Sequence, residues 1–201
     1  NRIRSLPRPV RKKTNPWVVL GASILVILII FSAVIVASKY NLIGQSGVFI
    51  NGNFDDWKGA NLYVDNQADQ TVNNDVNIVR FGAQMDSKYL SFYDKVLGKM
   101  LGGKGTNGLD SVSIYIDADK QYGTGYHLGS LGADYLLRVE GYDGKITSKN
   151  FWKFNTSRDS LDFNGFSQGL RVSASNDGSQ LEAQISLSDT TMKKDTSIAC
   201  I

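Results

Sequence analysis

The residues best suited to chemistry sit in the middle of the chain, where Ile116-Asp117-Ala118-Asp119-Lys120-Gln121 ends an alternating apolar run and enters a loop broken by Gly123 and Gly125. Oxygen-bearing side chains at alternate positions, Asp117, Asp119 and Gln121, suit a hard cation such as Ca²⁺, which takes roughly six to eight oxygen ligands. Asp134, at the start of the next alternating run, could return as a further carboxylate. The pattern is not that of an EF-hand, because Tyr122 holds the sixth position where glycine is needed and Leu128 the twelfth where a carboxylate is needed. The same residues also suit a network of Asx turns in which the carboxylates accept loop amides. Both readings stand at this stage.

Other chemistries find less to work with. There is one His and one Cys, which excludes a multi-histidine metal site. Of the 19 acidic residues only Glu140 and Glu182 are glutamates, and both are expected on outward strand faces. No carboxylate pair is marked by its context as the acid and base of a hydrolase, so the chain reads as no enzyme. Trp57 and Trp152 are the candidate ligand-binding aromatics. Trp57 closes the segment Val48-Phe-Ile-Asn-Gly-Asn-Phe-Asp-Asp-Trp57, where it also reads as a plug over a core edge, whereas Trp152, followed by Lys153, reads as an open platform. His127, Met85 and Met100 are the candidate haem ligands, and nothing sets two of them across a pocket, so no haem is expected. Residues 97–109 are glycine-rich without the Gly-Lys-Ser/Thr of a phosphate loop and read as a mobile surface loop. Asn155-Thr156-Ser157 is a glycosylation sequon in a polar stretch, which makes Asn155 the expected glycan site.

The elements that must position these residues alternate in twos. Val48–Ile50, Val79–Ala83, Leu90–Val96, Val112–Ile116, Tyr135–Val139, Lys145–Lys149, Leu170–Ala174 and Leu181–Leu187 are separated by turn signals such as Asp143-Gly144 and Asn176-Asp177-Gly178. About eight strands in residues 47–190 predict an all-β, antiparallel β-sandwich.

A different physics governs the amino end. Trp17 to Ala37 runs for 21 residues without a charge, the length of one transmembrane α-helix. A cleaved signal peptide would be shorter and end in small residues, but the exit here is Ile35-Val36-Ala37, which favours an uncleaved anchor. Six Lys/Arg lie within the first 13 residues and only Lys39 lies just beyond the span. The positive-inside rule then puts residues 1–16 in the cytoplasm as a basic arm, 17–38 in the cell membrane, 39–46 in a linker and the sandwich outside. From residue 41 onward acids outnumber bases, so the net charge of +3 belongs to the arm, and no nucleic-acid partner is expected. Both ends read as trimmed, with 191–201, including Cys200, as a C-terminal tail of a longer protein.

The order of Phe49-Ile-Asn-Gly-Asn-Phe-Asp-Asp-Trp57, Lys88–Tyr93, Val112–Asp119 with Thr124-Gly-Tyr126, Gly132–Tyr135 and Leu181–Leu187 resembles the family 9 carbohydrate-binding modules and their DOMON-like relatives. The resemblance covers about residues 46–190 and implies a β-sandwich that binds and does not catalyse. That family spans sugar-binding modules, haem-binding electron-transfer domains and modules on archaeal and bacterial surface proteins, and this chain is most similar to the last group. The expectation is therefore a non-catalytic, membrane-anchored envelope protein of a prokaryote, and of an archaeon among these, touching membrane lipid and other membrane or surface proteins as an accessory subunit. The alternatives are a glycan-binding module and a pilin-like structural subunit. An electron-transfer domain is the weakest.

Overall fold

A computed structural model of the 201-residue chain describes residues 47–65, 73–192 and 199–200. The anchor at 17–38, the arm before it and most of the linker after it lie outside the described residues. Among the described residues no helix is long and apolar enough to cross a membrane.

Two antiparallel five-stranded sheets form a sandwich, as expected. In chain order the strands are β1 (Tyr63–Val64), β2 (Ile78–Met85), β3 (Tyr89–Val96), β4 (Asp110–Asp117), β5 (Tyr126–Leu128), β6 (Leu131–Ala133), β7 (Tyr135–Tyr142), β8 (Lys145–Phe154), β9 (Phe166–Leu170), β10 (Val172–Asp177), β11 (Gln180–Ser186) and β12 (Ala199–Cys200). The first sheet runs β1-β2-β3-β11-β10 and the second β12-β4-β7-β8-β9, while β5 and β6 make a separate hairpin. The period-two pattern explains the core. Leu90, Phe92 and Val96 of β3 meet Leu137 and Val139 of β7 and Phe151 of β8 between the sheets, all buried. The β7–β8 turn places both Asp143 and Gly144 at positive φ, the tight two-residue geometry that matches strand twist.

Several expectations change. Among the described residues twelve strands replace the eight, because short edge and hairpin strands carry too little alternation to be read. Val48–Ile50 is no strand: its backbone bonds to side chains, with Phe49 donating to Asp56 Oδ2 at 2.9 Å and the Val48 carbonyl accepting from Gln184 Nε2 at 2.9 Å. The expected strand over 170–174 is broken at Arg171, where the chain passes from the second sheet to the first. An exposed two-pronged pair from Arg171 to Asp189, at 3.0 and 2.8 Å, holds that corner. The loop after β3 is not a free surface loop. Met100 and Leu101 are buried in the core, and the Lys99 and Gly103 amides donate to Asp75 and Asp110. Within the expected tail, Ala199–Cys200 pairs with Ile116–Asp117.

Glu182 keeps its expected face, but that face is not open. It lies on the outward face of β11, opposite Leu181 and Ala183, where it is covered and 0% exposed. Residues 48–62 lie over it, with Val48 and Trp57 buried against Tyr93 of β3. Glu182 Oε1 accepts the amides of Asn51 and Gly52, each at 2.9 Å, and Oε2 accepts the Trp57 indole N–H at 3.3 Å. Three donors thus converge on one carboxyl group, in bonds that are shielded from water and so electrostatically stronger than exposed ones. Glu182→Ala would leave these donors without a partner, at about 1–3 kcal/mol for each one that water cannot reach. The variant is expected to lose about 3 kcal/mol or more in urea unfolding, and Glu182→Gln less. An unchanged unfolding midpoint in Glu182→Ala would rule out this clasp.

Candidate functional site

The acidic loop is built where β4 stops. Asp117, buried at the strand end, turns its carboxylate back on the following chain and accepts the amides of Asp119 (3.2 Å) and Lys120, the latter at positive φ. Asp119 repeats the device on the Gln121 amide at 2.9 Å and adds the Thr124 hydroxyl at 3.1 Å. Asp134 approaches from the residue before β7, held there by its own amide on the Ile116 carbonyl at 2.9 Å, and accepts the Ala118 amide at 2.8 Å. The Asx-turn network is therefore present.

The carboxylates also converge. Asp117, Asp119 and Asp134 each bring one oxygen to within 4.8 Å of the others. The electrostatic consequence is visible at Asp134, whose carboxyl is pushed above its ordinary range, first by burial and then by the like charges of Asp119 and Asp117, against the opposing effect of the Ala118 amide. Gln121 enters the loop through its backbone, donating to Asp119 and accepting from Thr124, while its side chain is exposed.

Glycines close the loop by absence of a side chain. A methyl group at Gly132 would fall 2.3 Å from the Thr124 carbonyl oxygen and 2.6 Å from that of Gln121. Gly125 combines a φ of +78° with similar crowding against Ala133. The loop thus wraps onto the β5–β6 hairpin through backbone alone.

The two tryptophans are not brought together. Trp57 is the buried plug, its ring centroid 5.3 Å from that of Tyr93. Trp152 packs on the outer face of the second sheet against the cluster of Ala133, Leu136, Phe154 and Phe166 and is half-buried, less open than a free platform. The open aromatic surface lies elsewhere and was missed in the sequence. Tyr122, 50% exposed, stacks on His127 with ring centroids 4.0 Å apart, and Phe163 stands edge-on to Tyr126 at 6.0 Å. His127, the inner ring of that stack, is half-buried, with its Nε2 buried and unpartnered. Met100 and Met85 belong to the main core, and the His127 hairpin packs on a separate cluster. Asn155 is exposed in the turn after β8, where its side chain accepts the amide of Ser157 at 3.0 Å.

No protein-family profile matches the chain, and no curated protein matches it. Among solved structures it is similar to a family 9 carbohydrate-binding module from Caldicellulosiruptor kristjanssonii in complex with glucose. The identity is 18% over 79% of this chain and 73% of that one, with a TM-score of 0.45. A likeness at that level carries no functional inference, and the sandwich stands on its own strand pairing.

Because three carbonyls crowd Gly132, Gly132→Ala is expected to force the loop open. It should lower the melting temperature and speed proteolysis between Lys120 and Thr124, with a loss of about 1–3 kcal/mol, the range for overpacking. Wild-type proteolysis rates in the variant would contradict the packing described.

Proposed function

We propose that this chain is a non-catalytic surface module: a β-sandwich held at the outer side of a cell membrane by one helix, acting as an accessory subunit of an envelope or membrane assembly. The observation that carries the reading is the 21-residue uncharged stretch from Trp17 to Ala37, preceded by six basic residues and followed by the sandwich. Gly21-Ala22-Ser23 and Ser32-Ala33 supply small residues for close approach of a partner helix. The use of acids agrees with a non-catalytic role, since Glu182 and the loop aspartates spend their oxygens on the chain's own amides. Purification of the full chain from native membranes in mild detergent is expected to bring a stoichiometric membrane or surface protein with it. A lone monomer would refute the subunit reading.

A second reading, glycan binding, is favoured by one observation, the exposed rings of Tyr122 and Phe163 beside a hairpin that holds them. Sugar rings stack on such surfaces when polar groups flank them. A monomer retarded by polysaccharide in native gels would support this reading.

Either role is served by a Ca²⁺ ion held by Asp117, Asp119 and Asp134, with Gln121 beside them. The support is the convergence of the three carboxylates and the upward push on Asp134, both of which a cation would relieve. A cation that binds only the folded chain stabilises it by about 2.7 kcal/mol at a hundredfold excess over its dissociation constant. Melting of the full chain should rise with Ca²⁺ and fall with chelator, and Asp119→Ala should abolish the response. Melting indifferent to both would leave the amide network alone.

A further inference from the structure

The sandwich is open along one edge. Tyr63, Phe81 and Asp94 are register partners across β1, β2 and β3, and Phe92 and Val96 flank Asp94 on the same, inward face of β3. Inward-facing rings should be covered by the opposite sheet, yet Tyr63 is 59% and Phe81 43% exposed, their ring centroids 4.8 Å apart. They form the mouth of a cleft of about 530 Å³ whose far wall is Val112 and Ile114 of β4.

At its floor lies Asp94, 7% exposed, with Oδ2 buried and without a hydrogen-bond partner. This is costly. A buried polar atom left unpaired costs stability, and more when it is charged. The other carboxylates lining the cleft differ. Asp75 accepts the Lys99 amide at 2.7 Å and Asp110 the Gly103 amide at 2.8 Å, while Asp65 lies at the rim. No Lys, Arg or His is among the described lining residues.

We propose that this cleft is a binding site for a small organic ammonium ion with an apolar body, its N–H donors on Asp94 and its hydrocarbon between the Tyr63–Phe81 rings and the β4 wall. Three features select that chemistry. The floor offers an acceptor with no donor of its own. The charged side chains around it are acidic only, so a carboxylate or phosphate ligand is repelled. The paired rings at the mouth attract a cation through their faces. The site is separate from the acidic loop and does not depend on the membrane reading.

Burial raises the Asp94 carboxyl to about 7, and the other titratable groups lining the cleft, Asp65, Asp75, Asp110 and the Tyr63 phenol, supply no positive charge to lower it. Arg80 and Glu182 lie on the other face of the sheet, Arg80 in register with Lys95 beside the Tyr93 ring and Glu182 under Trp57. An ammonium ion prefers the ionised carboxylate, so affinity is greatest above about pH 7 and falls as pH drops through it, by at most tenfold per unit.

The test uses the full chain in mild detergent, titrated with 2-phenylethylamine and with its neutral counterpart 2-phenylethanol, followed by NMR and calorimetry. The amine is expected to saturate a site at Phe81 and Asp94 at least tenfold more tightly than the alcohol at pH 8, and to weaken by roughly thirtyfold by pH 5.5. Asp94→Asn should abolish that preference while melting no lower than wild type at pH 8, because the buried charge is gone. Phe81→Ser, a change at an exposed position, should weaken the amine severalfold. Equal affinity for amine and alcohol, saturation unaltered by Asp94→Asn, no saturable binding of the amine at millimolar concentration, or a neutral sugar such as cellobiose taking the cleft instead would each overturn the proposal.

Discussion

The fold depends on how one carboxylate is satisfied. Glu182 sits on the middle strand of the first sheet's covered half, between β3 and β10, where an apolar residue would ordinarily be expected beneath a layer of chain. Its oxygens instead gather the amides of a turn and an indole from more than a hundred residues earlier in sequence. Those bonds add to the packing of Val48, Phe54 and Trp57 around Tyr93 and to the Gln184 bond on the Val48 carbonyl, and they fix where residues 48–62 turn across a sheet they join by no strand. With them, the outer face of the sheet becomes a second, smaller core around Tyr93.

Carboxylates occupy three physical states in this molecule. Glu182 is buried and saturated. Asp117, Asp119 and Asp134 are bonded to amides yet crowd one another, so that bonding and repulsion act on the same groups. Asp94 is buried and bonded to nothing through Oδ2. Burial alone does not separate these states; the supply of donors from neighbouring backbone does. At Asp117 the chain turns back on itself and provides amides, whereas at Asp94 the flanking amides are committed to the ladders of β2 and β11.

Much of this was legible in the sequence where the signal is local. Alternation in 112–116, 135–139 and 181–187 gave both the strands and the faces that enter the core, and Asp117-x-Asp119 with Asp134 was recoverable because a strand end, two glycines and a returning strand fix where they meet. What was not legible is non-local. Glu182 alternates correctly with Leu181 and Ala183, and nothing in that strand says another segment will cover its outer side. Its rarity, as one of two glutamates among 19 acids, was the available hint. Arg171 looks like the middle of a strand because Leu170 and Val172 are both apolar, yet they pack into the core from opposite sheets. Tyr122 and His127 stack because the chain turns between them, at Thr124 and Gly125.

The crossing at Arg171 also bears on how the chain assembles. The strands β4, β7, β8 and β9 follow one another along the sequence within the second sheet, so their pairings close short loops. The first sheet is divided around them: β2 and β3 come before, β10 and β11 after, and the pairing that joins the halves brings Tyr93 to within 2.6 Å of Gln180 across 87 positions. Loop-closure entropy makes that union the slow one, and it becomes far less costly once the intervening meander has drawn its ends together. On this topology the second sheet brings the two halves of the first together, and the clasp at Glu182 needs β11, from the later half, before residues 48–62 can close on it.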